Sequence, residues 1–523
     1  MNDQAVSGLQ ARKGRRGKRV KKSAEPGQNP HLEVPFIRRG IPTYDLLGEE
    51  SLCQIEATAE RIMFEIGIEF RDDAETMDLF RKAGGKVTEL TANSWNIKFE
   101  PGMIRALLKT APAKFTQHAR NPNNTVEIGG DAMVFAPAYG SPFVMDIDKG
   151  RRYGTIEDFQ NFVKLAQSSP WLHHSGGTIC EPTDVPVNKR HLDMVYAHIK
   201  YSDRGFLGSV TAPERAEDSI EMARILFGDD FTDQNCVIMG NFNTTSPLTL
   251  DGVTTQGIRA YAAANQGSIH LPFLLGGAVS PLTMAGSVAQ CLAESMVSCA
   301  LTQLVRPGSP AVLASFLSSL AMRSGSPTFG TPEPALGSLV MGQLARRLQL
   351  PLRCAGNFST SKLPDGQAMQ QAMMSMMSAV QCGANYVLHS AGFLDGLLSM
   401  SYEKFVMDTD VCGALHAYAK GVVVNEDTLG FDSLSEGGPG AHMFGTAHTM
   451  RHYKTAYYDS ALNDDLPWET WDERGETDMA TRANTRWKKT LKEYKAPDLD
   501  PGIDEALNEF MTKKKASMAD AWY

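Results

Sequence analysis

The side chains best placed to do chemistry in this sequence stand where apolar segments end. His389 follows the run Tyr386-Val387-Leu388, Asn357 and Phe358 close a run that begins at Leu352, and Asn241 stands near the end of a run from Cys236 to Phe242. Tyr139, Ser141, Glu181, Asn243, Thr244, Ser359 and Ser390 occupy comparable places. A long connection, Ser318 to Thr331, reads SSLAMRSGSPTFGT and ends in Pro332-Glu333. Connections of that length are usually functional. Each group has two readings. Glu333, beside a proline at a helix start, either balances the helix dipole or presents a carboxylate to a site. His389 is either a hydrogen-bonded core residue or a site residue. Phe329, Phe358, Tyr386 and Phe393 are either core rings or aromatic faces for a cation.

A scaffold must bring these scattered ends together. Apolar or small-residue strand candidates lie near 133–137, 174–180, 206–210, 236–242, 272–279, 311–317, 352–358 and 386–390. Helical segments follow them at 155–168, 187–202, 213–228, 251–266, 281–306, 332–349, 365–384 and 402–421. Thr155 ahead of Glu157-Asp158, Thr211-Ala212-Pro213-Glu214 and Ser280-Pro281 are helix-start signals. Strand followed by helix, repeated at intervals of roughly 30–45 residues, predicts an α/β fold of the (β/α)8 TIM-barrel type, which gathers reactive groups at the C-terminal ends of its strands. An open doubly wound sheet would alternate similarly with fewer units.

Ahead of the barrel, Leu52, Ile55, Ala59, Ile62, Met63 and Ile66 keep helical spacing. A strand ending at Phe99 and a helix carrying Ile104, Leu107 and Leu108 complete an N-terminal α+β cap. The expected organisation is a basic arm at 1–35, the cap at 36–130, the barrel at 131–425, and a C-terminal Gly-rich segment and helical tail at 426–523. The methionines at 369, 373, 374, 376 and 377 read as adaptable packing against the barrel or a neighbouring subunit.

Composition narrows the function classes. A net charge of −9 argues against general nucleic-acid binding by the body of the protein. The basic run from Arg12 to Lys22 reads as a solvated arm. The absence of an apolar run long enough for a membrane span, and of an apolar signal core, points away from membrane and export. The 8 cysteines form no CxxC pair and read as reduced cytoplasmic thiols, with no zinc site encoded by local spacing. No phosphate-binding GxxxxGK[ST] loop, strand-linked GxGxxG or GxSxG elbow occurs, and Glu436 to Gly440 reads as a turn.

Four blocks carry a family resemblance: GGAVSPLTMAGSVAQ (Gly276 to Gln290), FGTPEPAL (Phe329 to Leu336), GPGAHMFGTAHTMRHYK (Gly438 to Lys454) and WETWDERGETDMATRANTRWKKTLKEY (Trp468 to Tyr494). In that order they resemble the trimethylamine methyltransferase family, over roughly residues 35–500. The resemblance implies a (β/α)8 barrel that demethylates a methylamine and passes the methyl group to the cobalt of a separate corrinoid protein. The founding members carry pyrrolysine. This sequence has none, which implies the branch acting on quaternary amines such as glycine betaine, proline betaine or carnitine, with glycine betaine the first expectation. No DxHxxG corrinoid motif occurs, so the corrinoid (cobalamin) is expected on a partner protein, with no cofactor or metal held by this chain.

A quaternary ammonium leaves as a neutral amine and needs no acid, so the enzyme's task is to orient it toward a Co(I) nucleophile. On that reading Glu333, Phe329 and Phe358 take the cation, Tyr386 adds an aromatic face, and His389, Asn241 and Asn357 orient the remainder of the substrate or its carboxylate. A homo-oligomer with no nucleic-acid or membrane partner is expected. Two other readings stay open: a zinc-dependent corrinoid methyltransferase drawing ligands from Cys180, Glu181, Cys354 and His389, and a non-catalytic betaine-binding barrel.

Overall fold

The structure is a computed structural model and describes residues 35–522; the basic run lies outside them. Its centre is a sheet of seven parallel strands: β1 (Ala132–Phe135), β2 (Phe206–Leu207), β3 (Ile238–Asn243), β4 (Gly267–Leu271), β5 (Ala311–Ala314), β6 (Leu352–Ala355) and β7 (Tyr386–Leu388). They pair in the order β2-β3-β4-β5-β6-β7-β1, and beyond β1 the sheet continues antiparallel into Val126–Gly129 and Lys114–Gln117. This nine-strand path is a curled half-barrel.

The segment expected as the second strand lies between the β1 and β2 edges without ladder pairing. His173 N–H donates to the Phe135 carbonyl at 3.0 Å, and Leu207 N–H donates to that of Gly176 at 2.7 Å. Two features interrupt a regular ladder. The His173 ring, not its carbonyl, takes the Phe135 N–H through Nδ1 at 2.8 Å. Gly176 turns the chain at φ +93°, a conformation costly for any residue with a Cβ.

Eight helices follow: α1 (Ile156–Ser168), α2 (Arg190–Tyr201), α3 (Pro213–Phe227), α4 (Gly252–Ala263), α5 (Met284–Val305), α6 (Pro332–Leu348), α7 (Gly366–Cys382) and α8 (Tyr402–Lys420). Their starts have local causes. Thr155 and Asp158 form a reciprocal capping box on α1. Pro213 and Pro332 open α3 and α6, where a missing N–H costs nothing. Asp251, Asp365 and Ser401 cap α4, α7 and α8 with their side chains.

The fifth strand is the main displacement from expectation. The sequence reading put it at 272–279, but β4 runs Gly267–Leu271. Its polar residues hid it: His270 points to the helix layer, where Nδ1 and Nε2 meet Ser298 Oγ at 2.8 Å and Thr302 Oγ1 at 3.0 Å. A buried polar group satisfied in this way does not disturb a core strand. Contrary to the expectation of no run long enough for a membrane span, α5 is, among the described residues, the one helix long and apolar enough to cross a membrane; it is buried inside the fold. The helices Glu49–Arg61 and Met103–Leu108 pack against it. The rings of Phe70, Phe80 and Phe99 close the N-terminal part, with centroids 5.1 and 5.3 Å apart.

Candidate functional site

Past their C-terminal ends β4 and β5 resume as a second layer. Phe273–Gly276 pairs in parallel with Phe316–Ala321, which folds back antiparallel onto Ser326–Thr328. The long connection of the sequence is thus largely a hairpin. On the other side, Phe393–Leu394, Ser399–Ser401, Phe143–Asp146 and Gly150–Tyr153 form a second small sheet. The turn Asp395–Leu397 bridges the two rims: Asp395 N–H donates to the Ser361 carbonyl at 2.7 Å and Gly396 N–H to that of Ser359 at 3.0 Å. Where the hairpin ends, Gly330 (φ +67°) presses on α7 so closely that a Cβ would run into the Gln371 backbone. Gln371 Oε1 in turn accepts from Ser359 Oγ at 3.0 Å and Thr360 N–H at 2.9 Å.

Between the rims the structure gathers a cluster of rings. Phe358 lies 4.9 Å from Phe316, 5.0 Å from Phe329, 5.0 Å from His389 and 5.8 Å from Phe393, centroid to centroid. His389 stacks on Phe393 at 4.8 Å. Phe273 extends the set, 4.5 Å from Phe316. These are the faces a quaternary ammonium seeks. His389 itself is held at φ +65°, strained for a residue with a side chain. Its N–H donates to the Pro137 carbonyl at 3.2 Å, and its Nδ1 accepts the Tyr139 N–H at 3.1 Å. Nδ1 therefore carries no proton and Nε2–H is the free donor. Burial, reinforced by the nearby Arg353, holds its pKa well below the usual histidine range, so the ring is neutral.

Beneath the rings the interior is polar in one column. Tyr386 Oη and Gly176 N–H both donate to His174 Nδ1 at 3.0 Å. His174 Nε2–H then donates to Gln117 Oε1 at 3.1 Å, and Gln117 Nε2 to the Phe206 carbonyl at 3.0 Å. Gln117 comes from the antiparallel strand Lys114–Gln117. On β6, the Cys354 thiol turns outward to Cys382 Sγ on α7, 3.7 Å away. Strand alternation therefore turns Arg353 inward. Arg353 is fully buried, with its Cζ 5.7 Å from the Phe316 ring centre.

The sequence-predicted residues fare differently. Phe329, Phe358 and His389 come together, joined by Phe393. Tyr386 lies in the polar column below them. Asn241 faces the interior from β3, where its Nδ2 reaches Asn243 Oδ1 at 3.3 Å and its Oδ1 has no donor among the described residues. Asn357 stands apart from the cluster, because the chain turns at Gly356 and sends its side chain to the Ser390 carbonyl and toward Cys412 of α8. Glu333 is also apart. It is exposed on the first turn of α6, with no hydrogen bond or ion pair among the described residues, the placement expected of a dipole-balancing carboxylate. Glu181, past the unpaired second segment, is partly buried and paired with Arg190 at 2.7 Å; burial raises its pKa despite that cation. Cys354 faces away from His389, and no group of three or more His, Cys, Asp or Glu is placed to hold a metal among the described residues.

Sequence reasoning missed Arg353 and Phe316. A charged residue inside the apolar run Leu352-Arg353-Cys354-Ala355 was the available signal for the first. Phe316 lay in the expected sixth strand without any mark separating it from core.

Comparison with known proteins follows the same lines. The profile of the trimethylamine methyltransferase (MTTB) family matches residues 11–519. A glycine betaine methyltransferase of Desulfitobacterium hafniense (strain Y51) is 40% identical over 475 residues, covering 91% of this chain and 98% of that one. A proline betaine:corrinoid methyltransferase of Eubacterium limosum is 25% identical, again over 91% and 98%. A crystal structure of the Methanosarcina barkeri monomethylamine methyltransferase (MtmB) aligns with a TM-score of 0.47 at 11% identity, over 88% of this chain and 96% of that one, too loose a likeness to inform the site.

Proposed function

The chain belongs to the trimethylamine methyltransferase family, and on that premise we propose that it moves a methyl group from a quaternary amine, glycine betaine first, to the cobalt of a separate corrinoid protein. It is a methyltransferase; the named donor and the named acceptor are the parts proposed. The observation that carries the reading is the ring cluster Phe316, Phe329, Phe358, Phe393 and His389, gathered at the C-terminal ends of the strands. We read the curled sheet as a (β/α)8 barrel closed through the segment at 172–178, with the cap before it and the helical extension after it.

The residues divide the work. Aromatic faces replace the hydration shell of the trimethylammonium group and orient one methyl outward. The reduced corrinoid supplies the nucleophile that takes that methyl. The carbon–nitrogen bond breaks as the carbon–cobalt bond forms, and the nitrogen keeps the electron pair, so the amine leaves neutral and no proton donor is needed. A neutral His389 suits this, since it adds no positive charge beside that of the substrate. With Glu333 exposed, the cation is held by rings rather than by that carboxylate.

A partner surface is on the same end. Leu282, Met322, Leu363 and Leu398 stand exposed on the connections that follow β4, β5, β6 and β7. Such apolar exposure around a mouth fits a docked protein. A second surface supports self-association: Val422, Val424, Phe431, Phe444 and Tyr457 are all exposed, and no large apolar side chain between 421 and 457 is buried. Sedimentation giving a monomer at micromolar concentration would remove that part. All 8 cysteines are free, which supports a cytoplasmic setting; recovery with the envelope of broken cells would contradict it.

The test mixes the purified protein with cob(I)alamin and, separately, glycine betaine, proline betaine, carnitine, choline and trimethylamine, following the cobalt spectrum. Methylation with glycine betaine is expected. Methylation by trimethylamine alone would overturn the donor, and binding of betaine without any methylation would make the protein a binder.

A further inference from the structure

A guanidinium in the dry interior of a protein needs an anion, and Arg353 has none among the described residues. Its Nη1 donates to the Ser315 carbonyl at 3.1 Å. Its Nε and Nη2 are buried and have no acceptor among the described residues. Among the described residues no carboxylate forms an ion pair with it, and none is among the groups that shift its pKa. Among the described residues the groups that favour its charge are the Cys354 thiol, the Tyr386 hydroxyl and the Cys291 thiol, and burial pulls its pKa down to about 10. It is still charged at neutral pH.

The unpaired edge has a shape. Nε–H and Nη2–H point the same way and form the fork that grips a carboxylate by both oxygens. This protein uses that edge elsewhere: Arg61 takes Glu65 by Nε at 2.8 Å and Nη2 at 3.2 Å, and Arg71 takes Glu69 at 2.8 and 2.7 Å. At Arg353 the same edge is free. Above it lies Phe316, whose ring also borders Phe358 and His389, at 4.9 and 6.0 Å. A site for an anion therefore adjoins a site for an ammonium.

Resting on the proposed methyl transfer, we infer that Arg353 receives the carboxylate of the substrate, so that the enzyme selects betaines, zwitterions with a short spacer, over quaternary amines lacking a carboxylate. The discrimination has two parts. A betaine carboxylate satisfies the fork and neutralises the buried charge. Choline, with a hydroxyl in that place, leaves the guanidinium unpaired beside its own cation and is repelled.

Two measurements test this, each on the full-length protein. Wild type is compared with Arg353→Met and Arg353→Lys for betaine binding by calorimetry, and for KM and kcat with betaine and with choline. Loss of a buried charge-assisted pair predicts a betaine KM at least ~100-fold higher in Arg353→Met. Arg353→Lys, with charge but no fork, is expected to recover part of that loss. In wild type, betaine is expected to exceed choline in kcat/KM by a similar factor. A folded Arg353→Met with betaine KM within twofold of wild type overturns the inference. If that variant fails to fold, wild type alone decides, because equal use of choline and betaine overturns it. Betaine binding that depends on Arg353 without methyl transfer keeps the arginine site and overturns the methyltransferase reading; no binding of any quaternary amine overturns both.

Discussion

Replacing Phe358 by leucine separates a ring that binds a cation from one that fills space. Phe358 has four ring neighbours, with centroid distances between 4.9 and 5.8 Å. Leucine keeps most of the apolar volume, so the packing cost is about 1–2 kcal/mol, part of it from lost ring pairing. A desolvated cation on an aromatic face is worth about 1–2 kcal/mol, which raises the betaine KM by roughly 5- to 30-fold when the face is removed. The effect on kcat differs in direction. Nitrogen sheds its charge as the methyl leaves, so the rings hold the ground state more tightly than the transition state, and kcat stays level or rises. Initial rates of cobalt methylation over a range of betaine concentrations give both constants, and a melting curve verifies the fold. A folded variant with KM within twofold of wild type would refute the cation-binding role; a fall in kcat with KM unchanged would place the ring's contribution in the transition state.

Two further predictions concern stability. Glu294, buried on α5, accepts from Thr244 Oγ1, Ser246 Oγ, Leu248 N–H and Gln290 Nε2 at 2.6–2.9 Å, fastening the connection after β3 to the helix layer. Glu294→Ala strands these donors and is expected to cost about 3–5 kcal/mol in urea unfolding, Glu294→Gln less; a loss under about 1 kcal/mol would mean the connection is held by other contacts. Asp408 is buried against Lys404 and accepts the Gly392 N–H at 2.8 Å, and burial pushes its carboxyl up to about 6 despite the lysine. The folded chain therefore keeps a proton that the unfolded chain releases near the ordinary 3.8, so this group's stabilising contribution, complete below that value, is lost as pH rises through about 6. Asp408→Asn is expected to flatten that part of the Tm-against-pH curve, and an unchanged slope would contradict it.

The helices were the most legible part of the chain, because their starts are written locally: Thr155 with Asp158, Pro213 and Pro332 each mark a boundary that the structure reproduces. Strands were legible where they were apolar, as at β5. They were displaced where a polar side chain found a partner in the next layer, as His270 does with Ser298 and Thr302. The turn at Gly438 and Gly440, both at positive φ, also follows from glycine alone. At the candidate site, the grouping of Phe329, Phe358 and His389 was legible because they stand just past strand ends. Glu333 and Asn357 stand there too, yet direction within a turn separates them from the rings, and spacing along the chain does not encode that direction. Arg353 was missed for the opposite reason: it lies inside a strand, where alternation alone decides whether a charge meets water or the interior.

Gly330 and Gln371 leave the rim little independent freedom. The hairpin end rests on the Gln371 backbone, and the Gln371 side chain holds Ser359 and Thr360. Two connections that belong to different strands thus share one fastening, and neither can swing without disturbing the other. Any opening of the ring cluster on this side would therefore have to carry both connections together.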